Sequence, residues 1–287
     1  MFPNLVDDIN RDPKVRGVIH LGDIKSGSSR CTTEYFTDVA SHFERFRDPV
    51  TYTPGDNEWT DCHRPAAGGF DPLDRLGVLR QVFFTEPGKT LGRRENRVST
   101  QADDPIHATF VENVLWVESQ VAFATVHVVG SNNGLAPWFG AAETPEQRAR
   151  RLAEYSARVA AAVAWIDRSF DVAQENGLDG VVLAMQADMW DASAMAAGQP
   201  LDGFTAIVQR IAERAREFAD DVLILQGDSH RFLVDNPLAA GDAVHGVTEP
   251  VSNLTRIVVE GETATEWLRL TIDPRGEKLF SWERVPI

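Results

Sequence analysis

The chain has 287 residues, 43% of them hydrophobic, which is enough to bury the core of one large domain or two small ones. Its net charge of −15 at pH 7 argues against binding a nucleic-acid backbone through bulk electrostatics. No apolar stretch approaches the ~20 residues of a membrane span, and we expect no signal segment at the start. No repeat or linker interrupts the pattern, so we expect a single domain over residues 1–287.

Short apolar runs alternate along the chain with segments of helical periodicity, an order that favours an α/β fold with a largely parallel sheet. A short helix-like lead at Asn4–Asn10 comes first. The apolar runs predict strands at Val15–Leu21, Pro49–Thr53, Asn113–Ser119, Val121–Val129, Gly180–Met185 and Val222–Leu225. Apolar residues at helical spacing predict helices between Tyr35 and Phe46, over Leu73–Phe84, and from Phe204 to Phe218.

The clearest helix begins after Thr144, which is an N-cap residue. Pro145 follows in the first turn and Gln147 takes the capping-box position. An apolar stripe then runs as far as Phe170, and we expect the helix to stop near Gly177.

The chain changes character after residue 250, where apolar and polar residues alternate. Gly-Glu and Pro-Arg-Gly turns separate three such segments. We therefore expect three antiparallel strands, at Arg256–Glu260, Thr265–Ile272 and Lys278–Val285.

Three loops carry polar groups directly after apolar runs: Gly22–Asp23, Gly55–Glu58 and Gly227–His230. The carboxyl ends of strands are where open α/β sheets bind ligands. Glycine lets the backbone turn sharply, so that the carboxylate after it can point along the strand axis. Any one Gly-Asp pair is an ordinary turn dipeptide, but three of them after apolar runs predict an oxygen-rich metal site where the loops converge.

A hard divalent cation needs several oxygen donors, and a bridging carboxylate can hold two cations a few Å apart. Such a centre makes hydroxide available near neutral pH and polarises the oxygen of the group under attack. The candidate metal ligands at the strand ends are Asp23, Asp56, Asn57, Gln186, Asp228 and His230. The candidate catalytic residues are Asn57, His63 and Asp228.

The order of these motifs resembles that of the calcineurin-like metallophosphoesterase family over nearly the whole chain. The resemblance implies a four-layer α/β/β/α sandwich with mixed sheets, and a two-metal centre that hydrolyses phosphoesters. By this resemblance Asp23 stands at the bridging carboxylate, and Asp56 stands where the family has a ligand Asn. Gln186 falls where a ligand His is expected.

The last motif and the leaving-group position complete the resemblance. Asp228 replaces the first His of that motif and His230 matches the second, while Asn57 stands where the family has the His that assists the leaving group. The family's first motif, an Asp-x-His on the first strand, has no counterpart before Val15. A segment preceding Met1 would explain that gap.

Oxygen donors replace nitrogen donors at several of these positions. The chain is therefore expected to prefer Ca, Mg or Mn to Zn or Fe, as one or two ions. His63 and His127 are the remaining candidates for an imidazole acid. His63 could contact substrate with Arg64 clamping an anion, and a surface loop position is equally consistent with the sequence.

Other functions remain open at this point. The same cation would serve a carboxylic ester or lactone, and loss of the first motif also fits a degenerate fold kept for binding. Gly227–Ser229 resembles the nucleophile block of GDSL esterases, with Ser229 attacking, but it lies late in the chain and no Asp-x-x-His follows it. The expected partner is a small-molecule ester, with no nucleic acid and no membrane, and oligomeric state is not set by the sequence.

Cys31 and Cys62 are the two cysteines, and each lies shortly after one of the polar loops. If those loops are neighbours, the cysteines can form a disulfide, which would imply an oxidising compartment and an exported protein. Two unrelated thiols in a cytoplasmic protein are the alternative, because the sequence does not supply the distance between them.

Overall fold

A computed structural model describes residues 2–262 and 264–287. These residues form an α/β fold built on a large mixed sheet, as the alternating pattern predicts. The helices are α1 (Phe2–Arg11), α2 (Thr33–Phe43), α3 (Pro72–Phe83), α4 (Gly130–Asn133), α5 (Pro145–Asn176), α6 (Ala192–Ala196) and α7 (Thr205–Phe218). The strands are β1 (Val18–His20), β2 (Val50–Tyr52), β3 (Ser99–Thr100), β4 (Val114–Glu118), β5 (Val121–Thr125), β6 (Gly180–Ala184), β7 (Asp221–Gln226), β8 (Leu233–Asp235), β9 (Leu254–Val258), β10 (Glu266–Ile272) and β11 (Phe280–Pro286).

The large sheet has seven strands in the order β3-β4-β5-β6-β7-β9-β8. Its central strands β5, β6, β7 and β9 are parallel, and antiparallel strands flank them on both sides. The residues of β5 and β6 are all buried, because both faces of this sheet are covered.

One face of this sheet packs against α5 and α7. The capping box at Thr144 and Gln147 starts α5, and Gly177 ends it with a left-handed backbone. The apolar stripe of α5 includes Ile166 and Phe170, which join Ile211 of α7 in the largest buried cluster. Helical periodicity in the sequence therefore located both helices. The predicted stripe of α5 is buried at Ile166 and Phe170, whereas Leu152, at its start, is exposed.

The opposite face of the sheet meets two small pairs of strands. β1 and β2 pair in parallel, and β10 and β11 form an antiparallel hairpin. Phe123 and Leu225 on the large sheet share a buried cluster with Leu268 and Leu270 of the hairpin and with Ile19 of β1. A third cluster, centred on Phe43, joins the β1–β2 pair to α1, α2 and α3.

Two expectations about strands need correction. The run Val121–Val129 is not strand throughout, because β5 ends at Thr125 and the chain turns toward the site. The three C-terminal segments are not one antiparallel set. The segment Arg256–Glu260 overlaps β9, which pairs in parallel with β7. Within residues 2–262 and 264–287, β10 and β11 pair only with each other.

Cys31 and Cys62 form a disulfide with their Cα atoms 5.8 Å apart. Both side chains are buried, and the bond joins the loop after β1 to the short helical turn after β2. Of the two alternatives left open by the sequence, the paired one is therefore present. Among the described residues, no helix has both the length and the apolar character needed to cross a bilayer.

Candidate metal centre

Three carboxylates from three strand-end loops meet at one place. Asp23 lies after β1, Asp56 after β2 and Asp228 after β7. One carboxylate oxygen from each residue lies within 4.8 Å of the others. The loops expected to converge therefore do so, although their parent strands belong to two different sheets.

Gln186, just beyond β6, holds the three carboxylates together. Its Nε2 donates to Asp228 Oδ1 at 2.9 Å, to Asp23 Oδ2 at 3.2 Å and to Asp56 Oδ1 at 3.4 Å. Its Oε1 accepts from the Gly130 backbone N–H at 2.7 Å. The amide therefore presents its nitrogen to the carboxylates, and its oxygen is engaged with the backbone on the other side.

Gly130 closes the centre from the side of β5. A Cβ atom at this position would lie 2.6 Å from Asp56 Oδ2 and 2.7 Å from Asp228 Oδ2. Such distances are far below van der Waals contact, so only glycine leaves room for both carboxylates. The space between the three Asp side chains therefore depends on the absence of a side chain at Gly130.

The next residues, in α4, continue the wall with an unusual backbone. Ser131 and Asn132 both have left-handed angles, with φ of 54°. This turn places Ser131 Oγ 2.9 Å from Asp56 Oδ2 and 3.0 Å from Asp61 Oδ1. Asp61 is in turn paired with Arg64 at 2.7 Å, so the hydroxyl links the carboxylate cluster to an ion pair at its rim.

Glu58 fixes the loops of Asp23 and Asp56 relative to each other. Its Oε1 accepts from the Gly55 N–H at 2.6 Å, from the Tyr52 hydroxyl at 2.8 Å and from the Asp23 N–H at 3.1 Å. The side chain is fully buried, and burial raises the pKa of Glu58 to about 7. Glu58 therefore holds the two loops in a fixed relation through the three hydrogen bonds that its Oε1 accepts.

The site is electrostatically unfavourable without a cation. Burial, followed by the neighbouring carboxylate of Asp56, raises the pKa of both Asp23 and Asp228 well above its usual range. Burial and Asp56 also raise the pKa of Asp61 to about 7. Lys25 is a nearby buried cation, but its ammonium donates to the carbonyls of Asn57 (2.7 Å) and Ser26 (2.8 Å), not to a carboxylate.

Strained backbone is concentrated at the same loops. Asp23, Asp228 and His230 have left-handed backbones, with φ of 54°, 66° and 56°. This conformation costs a non-glycine residue about 1–2 kcal/mol, and it persists where the surrounding structure enforces it. The loops are therefore held in shapes that local preference alone would not select.

The other predicted site residues lie around this centre in different ways. The Asn57 N–H points to Asp23 Oδ1 at 3.4 Å, and its carbonyl accepts from Lys25. His63 lies farther out, where its Nδ1 accepts from the Phe139 N–H at 3.1 Å and its ring packs on the Phe139 ring. His230 is exposed and lies outside the group of three carboxylates. The buried ring of His127 bonds Glu112 instead.

Ser229 has no catalytic arrangement of the esterase kind. The acidic side chain beside its hydroxyl is that of Asp188, which is itself paired with Arg256 at 2.7 Å. A serine nucleophile needs a base, usually an imidazole, at its hydroxyl. The contacts of Ser229 therefore give no support to the GDSL-like alternative.

Four residues of the site were not among the predicted ligands: Glu58, Asp61, Gly130 and Ser131. Glu58 and Asp61 stand within five residues of Asp56, so proximity in sequence was an available signal. Gly130 and Ser131 carried only the signal of a glycine and polar residues after an apolar run. Their contribution depends on a close approach and a left-handed turn, which the sequence pattern does not encode.

A scan against protein-family models found no match, and a search of curated proteins found no similar sequence.

Proposed function

We propose that this protein is a metal-dependent hydrolase whose preferred substrates are phosphoesters. The observation that carries the proposal is the convergence of Asp23, Asp56 and Asp228 around a space that Gly130 leaves free. The donor set suits a hard divalent cation such as Ca, Mg or Mn, because its atoms are carboxylate oxygens. One or two ions would also relieve the repulsion that raises the pKa of Asp23 and Asp228.

Asp23, Asp56 and Asp228 would hold the cation, which supplies an activated water and polarises the substrate oxygen. Gln186 orients all three carboxylates through its amide nitrogen, and Ser131 orients Asp56. These two side chains are positioning residues, since neither presents a free oxygen to the centre as placed.

The outer residues would then act on the substrate. Asn57 and His63 remain the proposed substrate contacts, and Arg64 lies at the rim beside Asp61. His230 would need a change of side-chain direction to join the ligands, because it is exposed outside the cluster.

We propose a four-layer arrangement for this fold as well. Helices α5 and α7 cover one face of the seven-stranded sheet, and the small strand pairs followed by α1–α3 cover the other. This succession agrees with a four-layer α/β/β/α sandwich of the calcineurin-like metallophosphoesterase kind. The disulfide between Cys31 and Cys62 supports an exported protein, since such bonds persist in oxidising compartments.

The same centre could act on a carboxylic ester or lactone, since a cation polarises a carbonyl as well as a phosphoryl oxygen. A binding role without turnover is the other alternative, and the exposed position of His230 is the observation that favours it.

The test is metal content together with hydrolysis by the purified protein. We expect bound Mn or Mg by elemental mass spectrometry, and chelator-sensitive hydrolysis of p-nitrophenyl phosphate or bis-p-nitrophenyl phosphate in preference to p-nitrophenyl acetate. Asp23→Asn should lose both bound metal and turnover. Asp220→Asn, which changes an exposed carboxylate between α7 and β7, should keep both.

Three results would count against the proposal. Turnover that survives chelation would remove the metal from the mechanism. Preference for the acetate ester would point to carbonyl chemistry. Metal binding without hydrolysis of any ester would favour the binding role.

A further inference from the structure

A cavity of about 850 Å³ lies between the β1–β2 pair, the β10–β11 hairpin and one face of the seven-stranded sheet. Phe123 and Leu225 of the large sheet line it on one side, and Phe2 and Leu5 of α1 line it on another. It opens beside the carboxylate cluster, where Asp23 also lines it. The interior is mainly apolar, but two of its side walls are formed by the backbone.

Those side walls are the edges of two strands. Residues 14–23 and 264–272 line the cavity without interruption. A strand that turns one face to a cavity contributes alternate residues, because successive side chains point to opposite faces. Uninterrupted lining means that β1 and β10 face the cavity edge-on. In the part of the chain that the structure describes, β1 pairs only with β2 and β10 only with β11.

The hydrogen-bond register of the hairpin identifies the groups at its open edge. Thr265 accepts from the Ile287 N–H, and the Asp273 N–H donates to Leu279. Backbone groups of an antiparallel strand alternate in direction, so the odd-numbered residues of β10 bond to β11. Leu268 and Leu270 therefore direct their N–H and C=O groups into the cavity.

The same reasoning applies to β1. The Val18 N–H donates to Pro49 and the His20 carbonyl accepts from Thr53, so both residues bond toward β2. Ile19 lies between them and directs its backbone N–H and C=O the other way, toward the cavity. Backbone donors and acceptors from both β1 and β10 therefore face the same apolar cavity.

The ends of the cavity differ in charge. Lys14 and Arg16 lie at the end where β1 begins, and Asp23 and Asp228, with Lys25 beside them, lie at the end where β1 leads out. A ligand that fills the cavity lengthwise would match this difference with an acidic group at the first end and a cationic group at the second.

We propose that this cavity is a binding slot for one extended apolar peptide strand. The strand pairs with β1 and β10 at once and joins the two small pairs into a single five-stranded sheet. Open strand edges are templates for strand addition, in which main-chain bonds give affinity and alternate side chains fill apolar pockets. The bound strand can pair along the seven residues of β10, a length of about 23 Å at a rise of ~3.3 Å per residue.

The main-chain argument for this inference is independent of the proposed hydrolase activity, because it concerns the backbone edges of β1 and β10. Only the match of charge at one end uses Asp23 and Asp228, which the proposed metal centre also uses. A small amphiphile could fill the apolar space, but it would leave the groups of Ile19, Leu268 and Leu270 unpaired. Pairing of those groups distinguishes the two occupants.

The test is amide hydrogen exchange by NMR on the full chain with a synthetic peptide. The probe is acetyl-Glu-Val-Thr-Val-Ile-Val-Thr-Lys-amide, and the matched control replaces its central Ile with Pro, which removes a donor and disrupts the strand. We expect saturable slowing of exchange, tenfold or more, at the amides of Ile19, Leu268 and Leu270. Arg269 and Thr271, already bonded to β11, should change less.

Protection at both strands by the probe, with none from the proline control, would support the slot. No protection at either strand, protection at one strand only, or equal protection by the control peptide would overturn it. Laurate serves as a second probe. A rise in melting temperature with laurate, while the peptide leaves exchange unchanged, would identify a small-molecule cavity and also overturn the proposal.

Discussion

At the scale of single residues, Gly130 is a position where the site tolerates little change. A Cβ there would lie 2.6–2.8 Å from oxygens of Asp56 and Asp228. We expect Gly130→Ala to separate those carboxylates and to weaken metal affinity by about 10–100-fold, the range typical of outer positions around a metal. Isothermal titration with Mn²⁺ measures the change directly.

Gly227→Ala is the matched control, because Gly227 adjoins Asp228 and yet has room. The closest atoms to its added Cβ lie at 3.5 and 3.9 Å, which is ordinary contact. We expect near-normal metal affinity for this variant. Equal loss of metal affinity in both variants would mean that any change in these loops disturbs the centre. The close approach of a Cβ at Gly130 to the carboxylates would then not be the cause.

Three of the residues that the sequence analysis identified share one property. Asp23, Asp56 and Asp228 each follow a glycine after an apolar run, so local pattern alone marks them as candidates. Ser131 and Gly130 reach the site through a left-handed turn, and Glu58 acts through a buried network. Those contributions depend on contacts between distant segments, which no local pattern reports.

At the scale of elements, the disulfide joins the two loops that carry Asp23 and Asp56. Cys31 and Cys62 are 31 residues apart in sequence, and a cross-link of that span restricts the unfolded chain considerably. We expect the double variant Cys31→Ser, Cys62→Ser to lose about 3–4 kcal/mol of unfolding free energy. Urea denaturation followed by tryptophan fluorescence gives this quantity, since Trp59 is buried near the bond.

Wild-type protein in reducing agent is the control for that variant, and the two should unfold at the same urea concentration. A loss below about 1 kcal/mol would show that other contacts restrain the loops. Lys25 would then be the first residue to examine, because its ammonium already ties the Asp23 loop to the Asn57 carbonyl.

Elements with strong periodicity were predicted well, and pairing between elements was not. The capping box at Thr144 and the glycine at 177 mark both ends of α5 in sequence and in structure. The sequence of β9 alternates like those of the two strands that follow it, yet β9 pairs with β7 in the large sheet. Strand pairing is decided by burial against partners far along the chain, so an alternating pattern cannot assign it.

At the scale of the whole molecule, the excess of negative charge has a local counterpart in the carboxylate cluster. Folding brings the half-buried side chains of Asp23 and Asp228 together beside buried Asp56, where their pKa values rise well above the unfolded values. The folded protein without metal therefore holds protons that the unfolded chain releases. Stability contributed in this way is present at low pH and is lost as the pH rises through the folded pKa values.

A bound cation reverses that trend, because it takes the place of the protons and prefers the ionised carboxylates. We expect the rise in melting temperature produced by Mn²⁺ to be small at pH 5 and to grow toward pH 8. At a metal concentration 100 times the dissociation constant, the stabilisation is about 2.7 kcal/mol. Thermal scans with Mn²⁺ and with chelator across this pH range measure it, and Asp23→Asn should flatten the dependence. A metal-induced shift that is the same at pH 5 and pH 8 would mean that the ion binds elsewhere, at carboxylates whose pKa is not raised by folding.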